Sequence, residues 1–375
     1  MAKQKIAFII TQLQLGGAQK SVLYSVEHLS KNYFETYLLC GQGGTLDNYA
    51  KKNIKNLYFI PSLVRRINPI KDFLAFINII KILKQINPAI VHTNCPKAGI
   101  LGRIAAKIFT KAKVIHTTHG FVFYEGQNIF KKYFYIFIER FAAKFADAMV
   151  FVSEEDLKTA LKYKITSKEK VLLIRAGVEV KTKENLSFNK TALLQEFNLK
   201  KDTKIILQVA NLKPEKAPLE SVKIAQIVCQ KYPKAIFLYT GAGPLKTKTE
   251  SLIKEYKLEN NFKLIGERTD IYNLLALADV FLLTSVREGL PMALAEALFM
   301  QVPAVCYNVG GIKEILKDSK NGFLIPPGNT QKAAKSIIKI LQNDFKFIEG
   351  PSLLIDFDIN TMVKKQEFLY KNLLK

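Results

Sequence analysis

Residues 5–31 read KIAFIITQLQLGGAQKSVLYSVEHLSK. An apolar run, KIAFIIT, gives way to polar residues and a glycine pair, and apolar positions then recur at helical spacing from Gly17 onward. A short apolar run that passes through glycine into an amphipathic pattern is a strand delivering into a helix. The run stands close to the N-terminus behind two lysines, so a signal peptide is the competing reading. No small-residue cleavage site follows it, and the glycines lead straight into the helix, so it reads as a first strand.

The same unit recurs outward along the chain. TYLLC, LYFIP, AIVHT, KVIHTTHG and AMVFVS read as further strands, separated by helical patterns such as IKDFLAFINIIKILKQ and IFKKYFYIFIERFAAKFA. The alternation pauses in a polar, lysine-rich stretch from Val180 to Asn198. It restarts with KIILQVA, AIFLYTG, FKLIG, DVFLLTS, AVCYNV and GFLIP. Repeated strand–helix alternation means a parallel sheet with helices on both faces. The chain is therefore read as α/β: a Rossmann-like domain over 1–180, a linker over 181–200 and a second Rossmann-like domain over 201–350. A C-terminal helical segment over 351–375 is expected to pack back on the first domain. A length of 375 residues and 49% hydrophobic content suit two such cores.

No apolar run reaches membrane-spanning length. The four cysteines are scattered and fit reduced side chains of a cytoplasmic protein; the four histidines lack metal-ligand spacing. The net charge of +24 is uneven, with 27 Lys/Arg against 11 Asp/Glu in residues 1–178 and 29 against 21 in the rest. Such a bias suits a polyanionic partner, whether nucleic acid, an anionic membrane surface or a pyrophosphate-linked substrate. It also follows from general enrichment in Lys, Ile and Asn, and composition leaves both accounts open.

In open α/β sheets ligands bind beyond the carboxyl ends of the strands. Those ends carry Gly16-Gly17, His119-Gly120, Asn211 to Lys216, Gly241-Ala242-Gly243 and Glu288 to Pro291, and they are expected to converge on a cleft. The most informative stretch is REGLPMALAEAL, residues 287–298. With Pro291 at the first helical position, Glu288 lies in the approach loop and Glu296 inside the helix. A helix N-terminus suits a phosphate, and a carboxylate on each side suits hydroxyl-rich groups. Hexose, diphosphate and ribose have that order. Lys213 and Lys216 can reach a diphosphate, and the Gly16-Gly17 and GAGP turns either admit a ligand or merely turn the chain. His119 can hydrogen-bond a sugar hydroxyl. His116, three residues earlier, faces the other way, and one of the two is structural. Backbone groups around Glu267 and Arg268 are the candidate nucleobase contact.

Together these motifs resemble the retaining glycosyltransferases of family 4, whose GT-B architecture has two Rossmann-like domains. GGAQ after strand one is similar to the family's GGAE, THG at 118–120 to its histidine-glycine step and GAGP to its GxGP. Glu288 and Glu296 fit E-x7-E, and NVGG at 308–311 with Glu314 and NGFLIPPGN fits the closing region. Two places depart from the pattern. Asn211 stands where an arginine is usual, and Lys216 is followed by Ala217 in place of glycine; RAGVE at 175–179 replaces NGVD.

The resemblance implies a hexose or N-acetylhexosamine transferase that retains configuration and uses a nucleotide-diphospho sugar, here expected to be a UDP-sugar. Glu296 would hold the ribose and Glu288 the transferred sugar. Gly289 and Leu290 N–H groups, with Lys216, would stabilise the leaving diphosphate, and His119 would position sugar or acceptor. Gly16, Gly17, Asn211, Lys213, Gly241, Gly243, Arg268 and Pro291 complete the expected donor site. No metal and no cofactor are implied. The expected acceptor is a glycan or a polyprenyl-diphosphate-linked sugar at the inner face of the membrane, and nucleic acid is not expected. Lys131, Lys132, Arg140 and Lys144 flank the aromatic helix YFYIFIERFAAKF, whose aromatics are either a surface anchor or core. A nucleotide-sugar epimerase or phosphorylase of the same architecture, and a non-enzymatic nucleic-acid binder suggested by charge, are the competing functions.

Overall fold

The computed structural model describes residues 2–124, 126–182, 186, 188–348 and 351–375. Residues 183–185 and 187, inside the expected linker, and 349–350, at the end of the expected second domain, lie outside the described residues. The chain divides into two compact units, Met1–Gly177 with Asp356–Lys375, and Val178–Ile355.

In the first unit the elements are β1 (Gln4–Gln12), α1 (Gly17–His28), β2 (Phe34–Gly41), α2 (Asp47–Asn53), β3 (Leu57–Phe59), α3 (Pro69–Ile86), β4 (Ile90–Asn94) and α4 (Pro96–Phe109). They continue with β5 (Lys113–Thr118), α5 (Ile129–Ala143), β6 (Ala148–Phe151), α6 (Glu154–Lys162) and β7 (Val171–Leu173). The parallel strands lie in the order β3-β2-β1-β4-β5-β6-β7. Ile6 to Ile10 are all essentially inaccessible, as expected of a central parallel strand covered on both faces. The three-residue β7 is an edge strand that the sequence reading lacks.

The second unit has α7 (Lys190–Glu196), β8 (Ile205–Val209), α8 (Pro218–Lys231), β9 (Ile236–Thr240), α9 (Lys246–Glu255), β10 (Phe262–Leu264) and α10 (Ile271–Leu277). It continues with β11 (Val280–Leu283), α11 (Met292–Phe299), β12 (Ala304–Tyr307), α12 (Ile312–Ile315), β13 (Gly322–Ile325) and α13 (Thr330–Leu341). Its parallel sheet runs β10-β9-β8-β11-β12-β13. Helix α7 forms within the polar stretch 180–198: Asn189 accepts from Ala192 N at its start, and Leu193, Leu194 and Phe197 are buried.

The last helix, α14 (Ile359–Leu373), belongs to the first unit. Ile359, Met362, Val363, Leu369 and Tyr370 join the core formed by β1, β2 and α1. Tyr370 Oη lies 2.6 Å from His92 Nδ1, and Glu367 accepts from Ser30 N at 2.6 Å. Gly177 lets the chain pass this helix closely, since a Cβ there would meet Ile359 Cα at 2.3 Å.

Candidate active site

In the second unit β8 and β11 are neighbours, although the chain visits β9 and β10 between them. Connections therefore diverge at this point and leave a crevice at the carboxyl ends, where open α/β sheets bind ligands. The loop after β8 carries Asn211, Lys213 and Lys216, and the loop after β11 carries Glu288. Lys216 Nζ lies 2.6 Å from Glu288 Oε1, with the lysine side chain 22% exposed and the carboxylate 9%. The structure thus joins two residues that the sequence reading had given separate duties.

A buried polar network holds the lysine in place. Pro214–Lys216 form a single 3-10 turn that ends at Ala217, whose φ of +45° is left-handed. Thr284 Oγ1, at the end of β11, donates to the carbonyls of Lys216 and Ala217 at 3.0 and 3.1 Å. It accepts from Gln208 Nε2 at 3.1 Å, and Ser221 Oγ donates to Gln208 Oε1 at 2.5 Å. All three side chains are buried. A connected buried network of this kind favours one geometry. Sequence reasoning missed these residues, although a polar residue inside an apolar strand (Gln208 in KIILQVA, Thr284 in DVFLLTS) is a usable signal for them.

The Glu288 loop is pinned from the other side. Gly311 N donates to Gly289 O at 2.9 Å, while Gly289 N and Leu290 N make no hydrogen bond among the described residues. Gly310 has φ +52°, and a Cβ on it would meet Glu288 O at 1.9 Å. Gly310→Ala is therefore expected to displace the Glu288 loop. We expect a loss of about 2 kcal/mol or more in stability from the combined overlap and left-handed strain, measured by urea denaturation, together with reduced donor binding. Wild-type stability in this variant would show that the loop yields without cost.

Helix α11 begins at Met292, one residue later than expected. Pro291 is the N-cap, with ψ of 103°, and its carbonyl accepts from Leu294 N and Ala295 N. Glu296, 5% exposed, lies just over a turn inside. It is close enough to Tyr272 for its charge, after burial, to help raise that phenol's pKa. Tyr272 in turn donates to the Glu179 carbonyl.

Other expected donor-site residues have structural partners. Gly241 and Gly243 allow two loops to touch: a Cβ would meet Ala210 O at 2.1 Å and Leu212 O at 2.3 Å, respectively. Leu212 N donates to Ala242 O at 3.0 Å. The GAGP turn does not open a helix directly, because α9 starts only at Lys246. Asn211 is bound through its carbonyl, by Tyr239 Oη at 3.3 Å and Lys213 N at 2.8 Å. The Arg268 guanidinium is shared between Asp270, at 2.8 Å, and Glu196, at 2.5 Å, and stacks on Phe197.

In the first unit, Gly16 is the extended N-cap of α1, with φ of −168°. His119 follows β5, and its Nε2 lies 3.0 Å from Asn94 Oδ1 at the end of the adjacent β4. The amide oxygen can only accept, so Nε2 carries the proton and Nδ1 keeps the lone pair. His116 is the structural one: its Nδ1 lies 2.9 Å from Thr93 Oγ1, and its ring packs on Gly99. His92 is a second wholly buried imidazole, between Tyr370 Oη and Thr117 Oγ1, both at 2.6 Å, whereas His119 is half-buried. Burial pushes His119 down to about 4, and burial with the nearby His119 pushes His92 down to about 3. Burial, helped by Arg103, lowers His116 well below its ordinary value.

These shifts fix the sign of an acid response. The unfolded chain takes up protons near pH 6.5 that the folded imidazoles refuse, so this stability is complete above about pH 6.5 and is lost as pH falls towards 4. Each imidazole contributes a slope of about 1.4 kcal/mol per pH unit in that window. Tm is expected to fall steadily between about pH 6.5 and 5, before carboxylates titrate. A flat Tm there would mean that the imidazoles titrate normally in the fold.

Residues 15–182 match the profile of the family described as Glycosyltransferase Family 4, and residues 189–350 match Glycosyl transferases group 1. A curated relative, the Escherichia coli UDP-Gal:alpha-D-GlcNAc-diphosphoundecaprenol alpha-1,3-galactosyltransferase, is 32% identical over 90% of this chain and 88% of its own length. The O-antigen biosynthesis glycosyltransferase WbnH of E. coli is 26% identical over 86% of each chain. Among solved structures, Anabaena HepE in complex with UDP and glucose superposes with a TM-score of 0.85 at 18% identity, covering 98% of this chain and 100% of its own. A glycosyltransferase from Rickettsia africae superposes with a TM-score of 0.80 at 22% identity over all of both chains. The structural likenesses extend to the fold.

Proposed function

Since the chain belongs to the glycosyltransferases of family 4, enzymes of the GT-B architecture, we propose that it moves a hexose or N-acetylhexosamine from a UDP-sugar, with retention at the anomeric carbon. The proposed acceptor is a sugar on polyprenyl diphosphate, which would bring the enzyme to the inner face of the membrane. The observation that carries this reading is the Lys216–Glu288 pair at the topological switch point, beside the start of α11 and with Glu296 buried behind it. Two unengaged N–H groups and two carboxylates on one loop and helix start, with a cation from the neighbouring loop, suit a ligand with a diphosphate between two polyols. Glu296 would accept from the ribose hydroxyls. The diphosphate would draw Lys216 towards itself and away from Glu288, freeing Glu288 to accept from the transferred sugar.

The chemistry asked of the protein is then electrostatic. Charge develops on the leaving diphosphate, and donors fixed before the reaction stabilise it without reorganising. Lysine and backbone N–H groups serve where other transferases use a divalent cation. His119, neutral at pH 7, would offer its Nδ1 lone pair to a hydroxyl. The relative's acceptor, a GlcNAc-diphospholipid, and its UDP-galactose donor support the choice of substrates. The test is competition between UDP and GDP for thermal stabilisation, followed by transfer assays on a GlcNAc-diphospholipid. UDP is expected to stabilise the protein at lower concentration. A clear preference for GDP would overturn the donor, and failure to glycosylate the lipid with any UDP-sugar would overturn the acceptor.

A further inference from the structure

Most aromatics of α5 are not core; Tyr135 packs against the core, and the others face outward. Phe130 is 84% exposed and Phe137 67%, and Tyr133, Phe134 and Phe141 are also exposed, making a stripe along the outer face. The inner face is fixed instead by Ile136, Ala142 and Glu139, whose carboxylate meets the wholly buried Arg103 of α4 at 3.0 Å. Lys132 is turned inward over the Tyr163 ring, and Arg140 donates to the Tyr163 carbonyl, so only part of the expected basic flank faces out.

A second apolar cluster stands at the start of α3. Ile67 is 80% exposed and Ile70 75%, and Phe73 and Leu74 are exposed beside them. Helix α4 lies between α3 and α5 and contacts both. Lys97, at its start, binds Asp72 and the Arg66 carbonyl and so ties it to the start of α3. The starts of α3 and α5 therefore flank the start of α4, at the carboxyl edge of the sheet from which His119 projects. Single exposed apolar residues need no explanation, but a cluster spread over neighbouring helices does.

Charge identifies what covers it. Residues 61–145 carry fourteen Lys/Arg and three Asp/Glu. Asp72 is held by Lys97 and Glu139 is buried against Arg103; Glu125 lies outside the described residues. Arg65, Arg66, Lys71, Lys131 and Lys144 are exposed beside the apolar groups. No helix of the described residues is long and apolar enough to cross a membrane. We propose that this face of the first unit docks on an anionic lipid bilayer, with the α3 and α5 side chains in the headgroup–acyl boundary and the cations on lipid phosphates. Aromatic and aliphatic groups ringed by cations are the composition of such interfacial helices.

The experiment is co-sedimentation with vesicles of phosphatidylglycerol and phosphatidylcholine in equal parts, or of phosphatidylcholine alone. Neither carries donor or acceptor, so the outcome is separate from that of the transfer assay. The protein is expected to partition onto the anionic vesicles and to leave them as salt rises. Combined Phe130→Ser, Phe134→Ser and Phe137→Ser, or Arg65→Glu with Arg66→Glu, should each weaken partitioning on the order of tenfold. Phe368→Ser, at an exposed aromatic on α14, should not. Circular dichroism and Tm confirm that the variants fold. Equal binding to both vesicle types, or to neither, overturns the proposal. So does a wild-type dimer that the triple variant converts to monomer without any change in vesicle binding, which would make the stripe an interface between copies.

Discussion

Lys216→Ala is expected to lower kcat by roughly two to three orders of magnitude, and Lys213→Ala by far less. The difference rests on placement, because lysine is abundant throughout this chain. Lys216 sits on a turn whose carbonyls are held by Thr284, itself held by Gln208, and its ammonium is 2.6 Å from Glu288. In the proposed mechanism donor binding draws this ammonium from Glu288 onto the diphosphate before the bond breaks, so it would meet the leaving group at little further reorganisation cost, and losing one such donor costs about 2–4 kcal/mol of transition-state stabilisation. Lys213 stands at the entry to the same turn, before it closes. The check is steady-state kcat and KM for both variants with Tm alongside, since Lys216→Ala also leaves a mostly buried carboxylate without its cation. Turnover by the wild type should persist in EDTA. Equal losses in the two variants would reassign the charge, and restoration of a chelated enzyme by magnesium or manganese would replace lysine with a metal.

The alternation that defines the fold is legible because parallel strands covered on both faces must be continuous apolar runs, and twelve of them stand out between helical patterns. The strand that escaped, β7, is three half-buried residues at a sheet edge, too short to show a period. Helix α7 escaped for a different reason: lysines and asparagines around it mask a short apolar face of Leu193 and Leu194. Pro291 shows a subtler limit. Its ring fixes φ near −65°, which suits both N-cap and first helical position, and only its ψ separates the two. Glu288 and Glu296 could be found by spacing along one segment. The Lys216–Glu288 contact joins residues 72 apart in sequence, and it exists only because the strand order brings β8 beside β11. Exposure of the α5 aromatics was likewise invisible to periodicity, since an outward apolar stripe and an inward one have the same spacing.

The two glutamates are expected to separate in kinetics. Glu296, if it holds the ribose, makes nearly the same contacts in ground and transition states, so Glu296→Gln should raise KM more than it lowers kcat. Its burial adds a stability term that Tm will report. Glu288 has two duties in the proposed mechanism: it holds Lys216 while the site is empty, and it faces the sugar as positive charge grows on the ring. Glu288→Gln keeps the shape but removes the charge, so kcat should fall while KM changes little or even drops, because the diphosphate no longer competes with a carboxylate for Lys216. The shared ammonium also predicts coupling. Residues that act as one unit give non-additive losses, so Glu288→Gln combined with Lys216→Ala should cost well under the sum of the single effects. If both glutamates merely brace the Gly-Leu-Pro turn, each substitution will lower Tm and leave kcat and KM of the folded fraction unchanged. That pattern, together with strict additivity in the double variant, would remove the donor from this site.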